Sequence, residues 1–518
     1  MAAGADQRTM VSEKLAPVLV TTKLLSSFDL TVIFIGIVLF INNSAGLAPN
    51  GPSMFIVWIA AFLTFLIPGN FVTAQLGRMF PEEGSIYVWT HKALGPFWGF
   101  FAGFVAWWPG IFGMVFSGAL VTFYLQFICD GKCLTEPWQA GLVILAVIWF
   151  SAYLSILRQR VSQNYVNVVT YFYASAIFVM GLAGVVWLLK DNPSATSFAS
   201  DSWNPFVYTN FTAFSFAVLA LLGIEVPLNM GVEIKSEASI RKYLFWGAIV
   251  VMVAYLWTTW ANMVVVGVPE GYDYTTGGPL GVSLAIGETA GNIVALILVW
   301  FFLSNCAIYN YSFARLLFVS GLERRLPHQI GTVNKNKVPA NAVLMNTILA
   351  SITTIALYFV FGQLTGQDVF VPFFALYAGV TVIWCTSMVL LFADIFFLKR
   401  SYPERFEQAR AIPLGALYLC AVVGLIAMVL AAAWIFTGTW YAGGFETLTE
   451  WNAWVAPIVI VSAIAGILIY VISERTRGGK SDVQLIEDTA AEVGAGAPAG
   501  GSGPASGVGG GERTAPTP

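Results

Sequence analysis

Charge is what this chain has least of. Of its 518 residues only 10% are Asp, Glu, Lys or Arg, while 58% are hydrophobic. A soluble globular chain carries roughly 25% charged and 45–50% apolar residues, so an ordinary water-soluble enzyme and a disordered chain are both excluded. Histidine is nearly absent, at 2 residues, and no metal-ligand spacing is present. Five cysteines are too few for a secreted disulfide scaffold. The net charge of −3 argues against nucleic acid as a partner. There is no nucleotide loop and no nucleophile elbow, so the chain reads as a non-enzyme without a cofactor. Nor does an apolar run precede the first long hydrophobic block, because Asp6, Arg8, Glu13, Lys14 and Lys23 punctuate residues 1–27; no signal peptide is expected.

What the chain has is long apolar runs. A spanning helix needs about 20 mostly apolar residues. Twelve candidates follow: 28–47, 53–76, 96–127, 139–157, 163–189, 210–233, 243–267, 286–318, 340–361, 371–398, 413–437 and 452–473. Continuous runs rather than alternation select helices over a barrel. The expectation is an all-α integral membrane protein with 12 transmembrane helices, multi-pass in the cell membrane, with the lipid bilayer as its surroundings. Residues 1–27 form a segment ahead of the spans. Residues 474–518 hold 11 of the 49 glycines and read as a disordered tail, with a short helix open at Asp482–Glu492.

Twelve spans put both termini on one side. That side receives 23 of the 25 Lys and Arg residues, and the other receives only Lys132 and Lys190. The split places both termini in the cytoplasm. Trp107, Trp108, Trp138, Trp203, Tyr208, Trp440, Tyr441, Trp451 and Trp454 fall near predicted interfaces, and the tryptophans outside span 3 read as an aromatic belt. Cys129 and Cys133 share the external loop, where a disulfide is one of two readings; Cys306, Cys385 and Cys420 read as core.

Two spans carry breaks. Span 1 contains Gly36, followed by Asn42-Asn43-Ser44-Ala45-Gly46. Span 6 puts Gly223, Glu225 and Pro227 within five residues at mid-depth. Proline removes an intrahelical hydrogen bond, and broken helices in transporters expose backbone groups to a substrate. A carboxyl group at that depth is costly and therefore a functional candidate. Apolar surroundings favour a carboxyl's neutral form in general, which lets such a group couple to a proton gradient. Glu225 is thus read as a gate, proton site or cation ligand, against a hydrogen-bonded structural acid. Asp394 and Arg315, near the cytoplasmic ends, read as snorkelling or paired. The breaks lie five spans apart, as expected if spans 1–5 (28–189) and 6–10 (210–398) form a 5+5 inverted repeat, with 413–473 adding two helices.

Three collinear stretches carry a resemblance. The first is Ala74-Gln75-Leu76-Gly77-Arg78-Met79-Phe80-Pro81-Glu82-Glu83-Gly84-Ser85, continuing to Gly99. The second runs from Ala314-Arg315-Leu316 through Leu326-Pro327 to Val338-Pro339. The third is Gly223-Ile224-Glu225 with Glu233-Ile234-Lys235 after it. Together these resemble amino acid permeases of the amino acid–polyamine–organocation (APC) superfamily. Leu66-Ile67-Pro68-Gly69 and Glu82-Glu83-Gly84 look nearest to the glutamate/GABA antiporter branch.

The resemblance implies a secondary transporter of amino acids or related amines. It implies alternating access, with proton symport or exchange as the driving mode. By alignment the substrate site includes Gly36, Ile37, Val38, Gly110, Met114, Leu222, Gly223, Glu225 and Tyr309. The family often has Gly-Ser-Gly at the span 1 break, where this chain has Gly36-Ile37-Val38, so Asn42, Asn43 or Ser44 is open as a substitute donor. Tyr173 stands where some members carry a lysine, and Gln75 where many have Glu. A non-transporting membrane sensor and a channel are the alternative readings; no filter motif or charged ring supports a channel. The oligomeric state is not encoded in any feature of the sequence.

Overall fold

A computed structural model describes residues 10–207, 209–267, 274–366, 368–440, 444–477 and 482–492. Among the described residues every named element is helical, and eleven segments are long and apolar enough to cross a membrane. Span 1 is α2 (Ser27–Val38) and α3 (Asn42–Leu47). Span 2 is α4 (Ser53–Ala61) and α5 (Ile67–Met79), joined by a π-turn over Phe62–Leu66. The π-turn has a cause: Pro68 cannot donate to the ladder, and Ile67 reaches back to the Phe62 carbonyl. After α6 (Ser85–Leu94) come α7 (Pro96–Ile128), α8 (Pro137–Ile156) and α9 (Gln159–Leu189), which are spans 3–5.

Span 6 does not continue as one helix to 233. Only α10 (Thr209–Leu219) is α-helical; a non-helical stretch with two 3₁₀ turns follows, until α11 (Glu237–Val265) begins span 7. Gly223 stands at φ +105, a left-handed conformation open to glycine, and Pro227 removes the next donor. This is why eleven long helices replace the twelve read from hydropathy. The remaining elements are α12 (Gly277–Ala285), α13 (Glu288–Leu322), α14 (Ala340–Thr354), α15 (Phe370–Ser401), α16 (Pro403–Ala409), α17 (Leu414–Trp434) and α18 (Leu448–Arg477). Helix α13 packs along α7, and α11 along α2 and α9, so spans 1, 3 and 8 form the centre. Large apolar side chains such as Leu63, Tyr153, Phe178, Leu296, Leu419 and Val461 face outward. That exposed surface fits lipid rather than water.

Several local expectations change. Helix α18 runs through Arg477, past the 474 boundary, and α19 (Asp482–Glu492) folds against α1 (Val11–Leu19). Residues 478–481 and 493–518, the rest of the expected tail, lie outside the described residues, as do Tyr208 and Tyr441. Cys129 and Cys133 are disulfide-bonded. Trp138, Trp203 and Trp454 are exposed as a belt requires, but Trp451 is fully buried and donates to the Ile435 carbonyl at 2.9 Å. Asp394 does not snorkel. It is fully buried, and Thr90 Oγ1 donates to it at 2.7 Å.

Candidate functional site

The span 1 break falls at Leu39–Ile41, three residues beyond Gly36. Leu39 leaves the helix at φ −98, ψ 78. Leaving the helix strands backbone groups, each worth about 1–3 kcal/mol if buried without a partner. Three tyrosine hydroxyls from three helices take them up. Tyr173 (α9) accepts from the Ile41 amide at 3.2 Å and donates to the Leu39 carbonyl at 2.6 Å. Tyr255 (α11) accepts from the Phe40 amide at 3.1 Å and lies 2.8 Å from the Val38 carbonyl. Tyr309 (α13) donates to the Ile37 carbonyl at 3.1 Å.

The two breaks meet here. The Tyr255 hydroxyl also lies 3.1 Å from the Ala220 carbonyl, just past the end of α10. A Cβ on Gly223 would stand 2.3 Å from the Ile37 side chain, so only glycine permits this approach. Between the breaks lies a cavity of about 40 Å³, lined by Ile37, Val38, Phe40, Asn43, Phe112, Phe116, Leu222, Tyr309, Tyr377 and Trp384, among others. That is room for about one water, so this conformation is contracted. No Lys, Arg, Asp or Glu lines it. Glu225 sits behind Trp384, whose indole faces the cavity and donates Nε1–H to Glu225 Oε1 at 3.2 Å. The other Glu225 oxygen has no partner among the described residues.

Of the expected site residues, Ile37, Val38, Asn43, Leu222 and Tyr309 line this cavity, and Gly223 and Glu225 border its lining residues. Gly36 and Gly110 serve helix contact instead: a Cβ on either would strike Ile308 or Phe313. Met114 is fully buried, with its carbonyl 3.7 Å from Cys306 Sγ. Asn42 Nδ2 donates to Asn43 Oδ1 at 3.3 Å and Ser44 Oγ to the Ile41 carbonyl at 2.7 Å, and neither residue lines the cavity. Trp384, Tyr377, Phe112 and Phe116 were not anticipated, and no signal distinguished them from other core aromatics. Among the described residues no cluster of His, Cys, Asp and Glu could hold a metal ion.

Both approaches to the cavity are closed, by different chemistry. On the face away from the termini, Phe216 packs on Tyr274, Tyr377 and Trp440, with ring centroids 5.4–6.5 Å apart. On the terminal face Arg315 is buried between two buried carboxylates. Its Nε is 3.2 Å from Glu83, in the loop after α5, and its Nη2 contacts Glu233, after the span 6 break. The amides of Leu24 and Leu25 donate to the Glu233 carbonyl at 2.6 and 2.8 Å. The Gly84 amide donates to the Asn229 carbonyl at 2.9 Å. Four segments are thus stapled at one point. Burial pushes the Glu83 carboxyl up to about 8, against the pull of Arg315 and with the help of Glu233. A larger space of about 480 Å³ opens between α18 and α19, bounded by the Arg324–Glu492 and Arg325–Glu474 ion pairs; it lies away from the breaks.

The sequence is similar to known transporters over most of its length. The family model for amino acid permeases matches residues 25–464. An uncharacterized transporter of Legionella pneumophila is 24% identical over 439 residues, covering 80% of this chain and 89% of its own. The polyamine transporter PUT1 of Oryza sativa subsp. japonica is 26% identical, over 76% of this chain and 70% of its own. The probable agmatine/putrescine antiporter AguD of Lactococcus lactis is 23% identical, over 73% and 80%.

Proposed function

The chain belongs to the amino acid permease family and is a membrane transporter, not an enzyme; from that premise we propose that it moves amino acids or related amines by alternating access. The observation that carries this reading is the contact of two broken helices around a small aromatic cavity, with a deep carboxyl group one side chain away. A transporter must let substrate shift the balance between states open to opposite faces. The cavity is closed on both faces in this conformation, so each closure must release in turn. Spans 1–5 and 6–10 act as the inverted repeats, with α10 and the broken stretch after it as the twelfth span. The terminal face is cytoplasmic, which the Lys and Arg split supports. The Cys129–Cys133 disulfide on the opposite face suits an oxidising exterior.

Glu225 couples transport to its driving ion or counter-substrate. In symport it exchanges a proton; in exchange it pairs with a cationic group. The two segments that look nearest to the glutamate/GABA antiporter branch favour exchange, and so does the antiporter among the relatives. Counterflow in proteoliposomes tests the reading: preloaded amino acid or amine should accelerate uptake of its labelled form. Glu225→Gln should abolish the pH dependence of uptake while the protein remains monodisperse. Unchanged pH dependence in that variant would remove Glu225 from proton coupling, and absence of counterflow for every amino acid and amine would sink the function.

A further inference from the structure

We propose that Tyr173 and Tyr255 set the specificity of this site: by occupying the backbone amides at the span 1 break, they make it a site for amines that lack an α-carboxylate. This rests on the transporter reading above and names its substrate class.

An α-carboxylate in a dry site needs several N–H donors or a cation. Within Leu39–Ile41 the span 1 break has none to give. The Phe40 and Ile41 amides donate to Tyr255 and Tyr173 at 3.1 and 3.2 Å. The Leu39 amide donates to the Ile35 carbonyl, Asn43 to Phe40 and Ser44 to Ile41, at 2.9, 2.9 and 3.1 Å. The hydroxyls are not loosely placed. Tyr173 stacks on Phe301 with centroids 3.4 Å apart, and Tyr255 on Trp58 at 4.3 Å. Both tyrosine hydroxyls also lie within hydrogen-bond distance of span 1 carbonyls, at 2.6 and 2.8 Å. Freeing an amide therefore breaks two bonds and a stack.

The rest of the wall offers an anion only neutral donors, the Asn43 side-chain amide and the tyrosine hydroxyls. No Lys, Arg or His lines the cavity, and the charge behind Trp384 is the Glu225 carboxyl group. A cationic amine meets the opposite situation. Carbonyls at the break, tyrosine oxygens and the faces of Phe112, Phe116, Tyr377 and Trp384 all favour positive charge. Glu225 becomes its counter-ion when Trp384 moves. The same arrangement accounts for the single glycine at this break: with tyrosines on the amides, the bare backbone of a Gly-Ser-Gly segment has no ligand to serve.

The test uses pairs that differ by one carboxylate: agmatine with arginine, putrescine with ornithine, cadaverine with lysine. Uptake is measured in proteoliposomes of the full chain. The wild type should favour the amine by about 100-fold or more in kcat/KM, the discrimination expected when the wrong substrate leaves a buried polar group unpaired. Tyr173→Phe and Tyr255→Phe each free one amide and should lower that ratio about 10-fold. A merely structural role would depress both members of a pair alike and leave the ratio in place, which overturns the proposal. Should either variant fail to fold, thermal stabilisation of the wild type decides: stabilisation by amines alone supports the proposal, and equal stabilisation by parent amino acids overturns it. Wild-type transport of both members at similar rates refutes this inference and leaves the transporter reading standing. Transport of neither member in any pair overturns this inference, and the transporter reading falls with it only when counterflow is absent for every other amino acid and amine.

Discussion

Replacing Arg315 with Gln should unlock the terminal face. Arg315 is 1% exposed and holds Glu83 and Glu233, themselves buried, from two other segments. Removing one partner of a buried ion pair costs about 3–5 kcal/mol, because the remaining charge stays desolvated. The cost falls on the conformation in which these groups are buried together. If opening the face hydrates them, the open state gains by about 10²–10⁴-fold in population. Ala220, which lines the cavity and is 4% exposed, can report this as Ala220→Cys in a background lacking Cys306, Cys385 and Cys420. A membrane-impermeant maleimide applied from the terminal face should label the Arg315→Gln protein at least about 10-fold faster than its parent. Glu83→Gln is the discriminating comparison. It leaves Arg315 paired with Glu233 as a neutral couple and removes the proton uptake that closing requires, so labelling should be no faster than the parental rate. The reasoning fails if monodisperse Arg315→Gln protein labels at the parental rate. It fails equally if Glu83→Gln accelerates labelling as much, since the staple would then depend on volume and not on charge.

The same staple predicts a pH dependence. The Glu83 carboxyl is raised to about 8 when buried and returns toward its ordinary 4.5 when hydrated. Between those values closing the face takes up a proton, so the closed state is favoured at low pH and loses stability as pH rises toward 8. Labelling of Ala220→Cys from the terminal face, divided by the rate of the same maleimide with a freely exposed thiol at each pH to remove the change in thiolate fraction, should rise between pH 5.5 and 7.5 by up to about 10-fold per unit. Glu83→Gln should flatten the profile. Glu82→Gln serves as the control, because burial also raises that neighbour, to about 7, beside Glu13, Lys92 and Arg405. Gly223→Ala adds a Cβ at φ +105 and 2.3 Å from Ile37, and should lose most counterflow and lower the unfolding midpoint; parental transport would show that the breaks need not touch. Gln75 is buried and donates Nε2–H to the Phe406 carbonyl at 2.8 Å. Gln75→Glu turns that donor into an acceptor and should destabilise by about 2 kcal/mol, read as a lower midpoint in a thermal scan; an unchanged midpoint would mean the glutamate is held protonated.

The breaks were legible because glycine and proline act locally. Gly223 and Pro227 mark the span 6 break within a few residues, and hydropathy marks the rest of the bundle. The span 1 break was placed near Gly36 and falls at Leu39–Ile41, because Gly36 serves close approach to α13 and nothing in Leu39-Phe40-Ile41 forbids a helix. What opens the helix there is tertiary: tyrosines on α9, α11 and α13 offer the backbone alternative partners. Tyr173 was noticed only as a departure from a lysine, and Tyr255 not at all, since a tyrosine among buried aromatics has no sequence signature of its own. Arg315, Glu83 and Glu233 were each visible in family-like stretches, but their meeting was not. They lie 82 to 232 positions apart, and only the fold brings one guanidinium between two carboxylates.

The break and its caps have different information content for this reason. A broken helix fixes where a substrate can meet backbone, and that much follows from local sequence. Which substrate it meets depends on the groups left unsatisfied, and that is settled by helices distant in sequence. At Leu39–Ile41 the amides are covered, while the carbonyls keep a second lone pair and the aromatic faces and a carboxyl group remain, so this part of the site is an acceptor. On the proposal made above, the difference between a carboxylate site and a site for cations resides in two phenolic hydroxyls rather than in the broken helix itself.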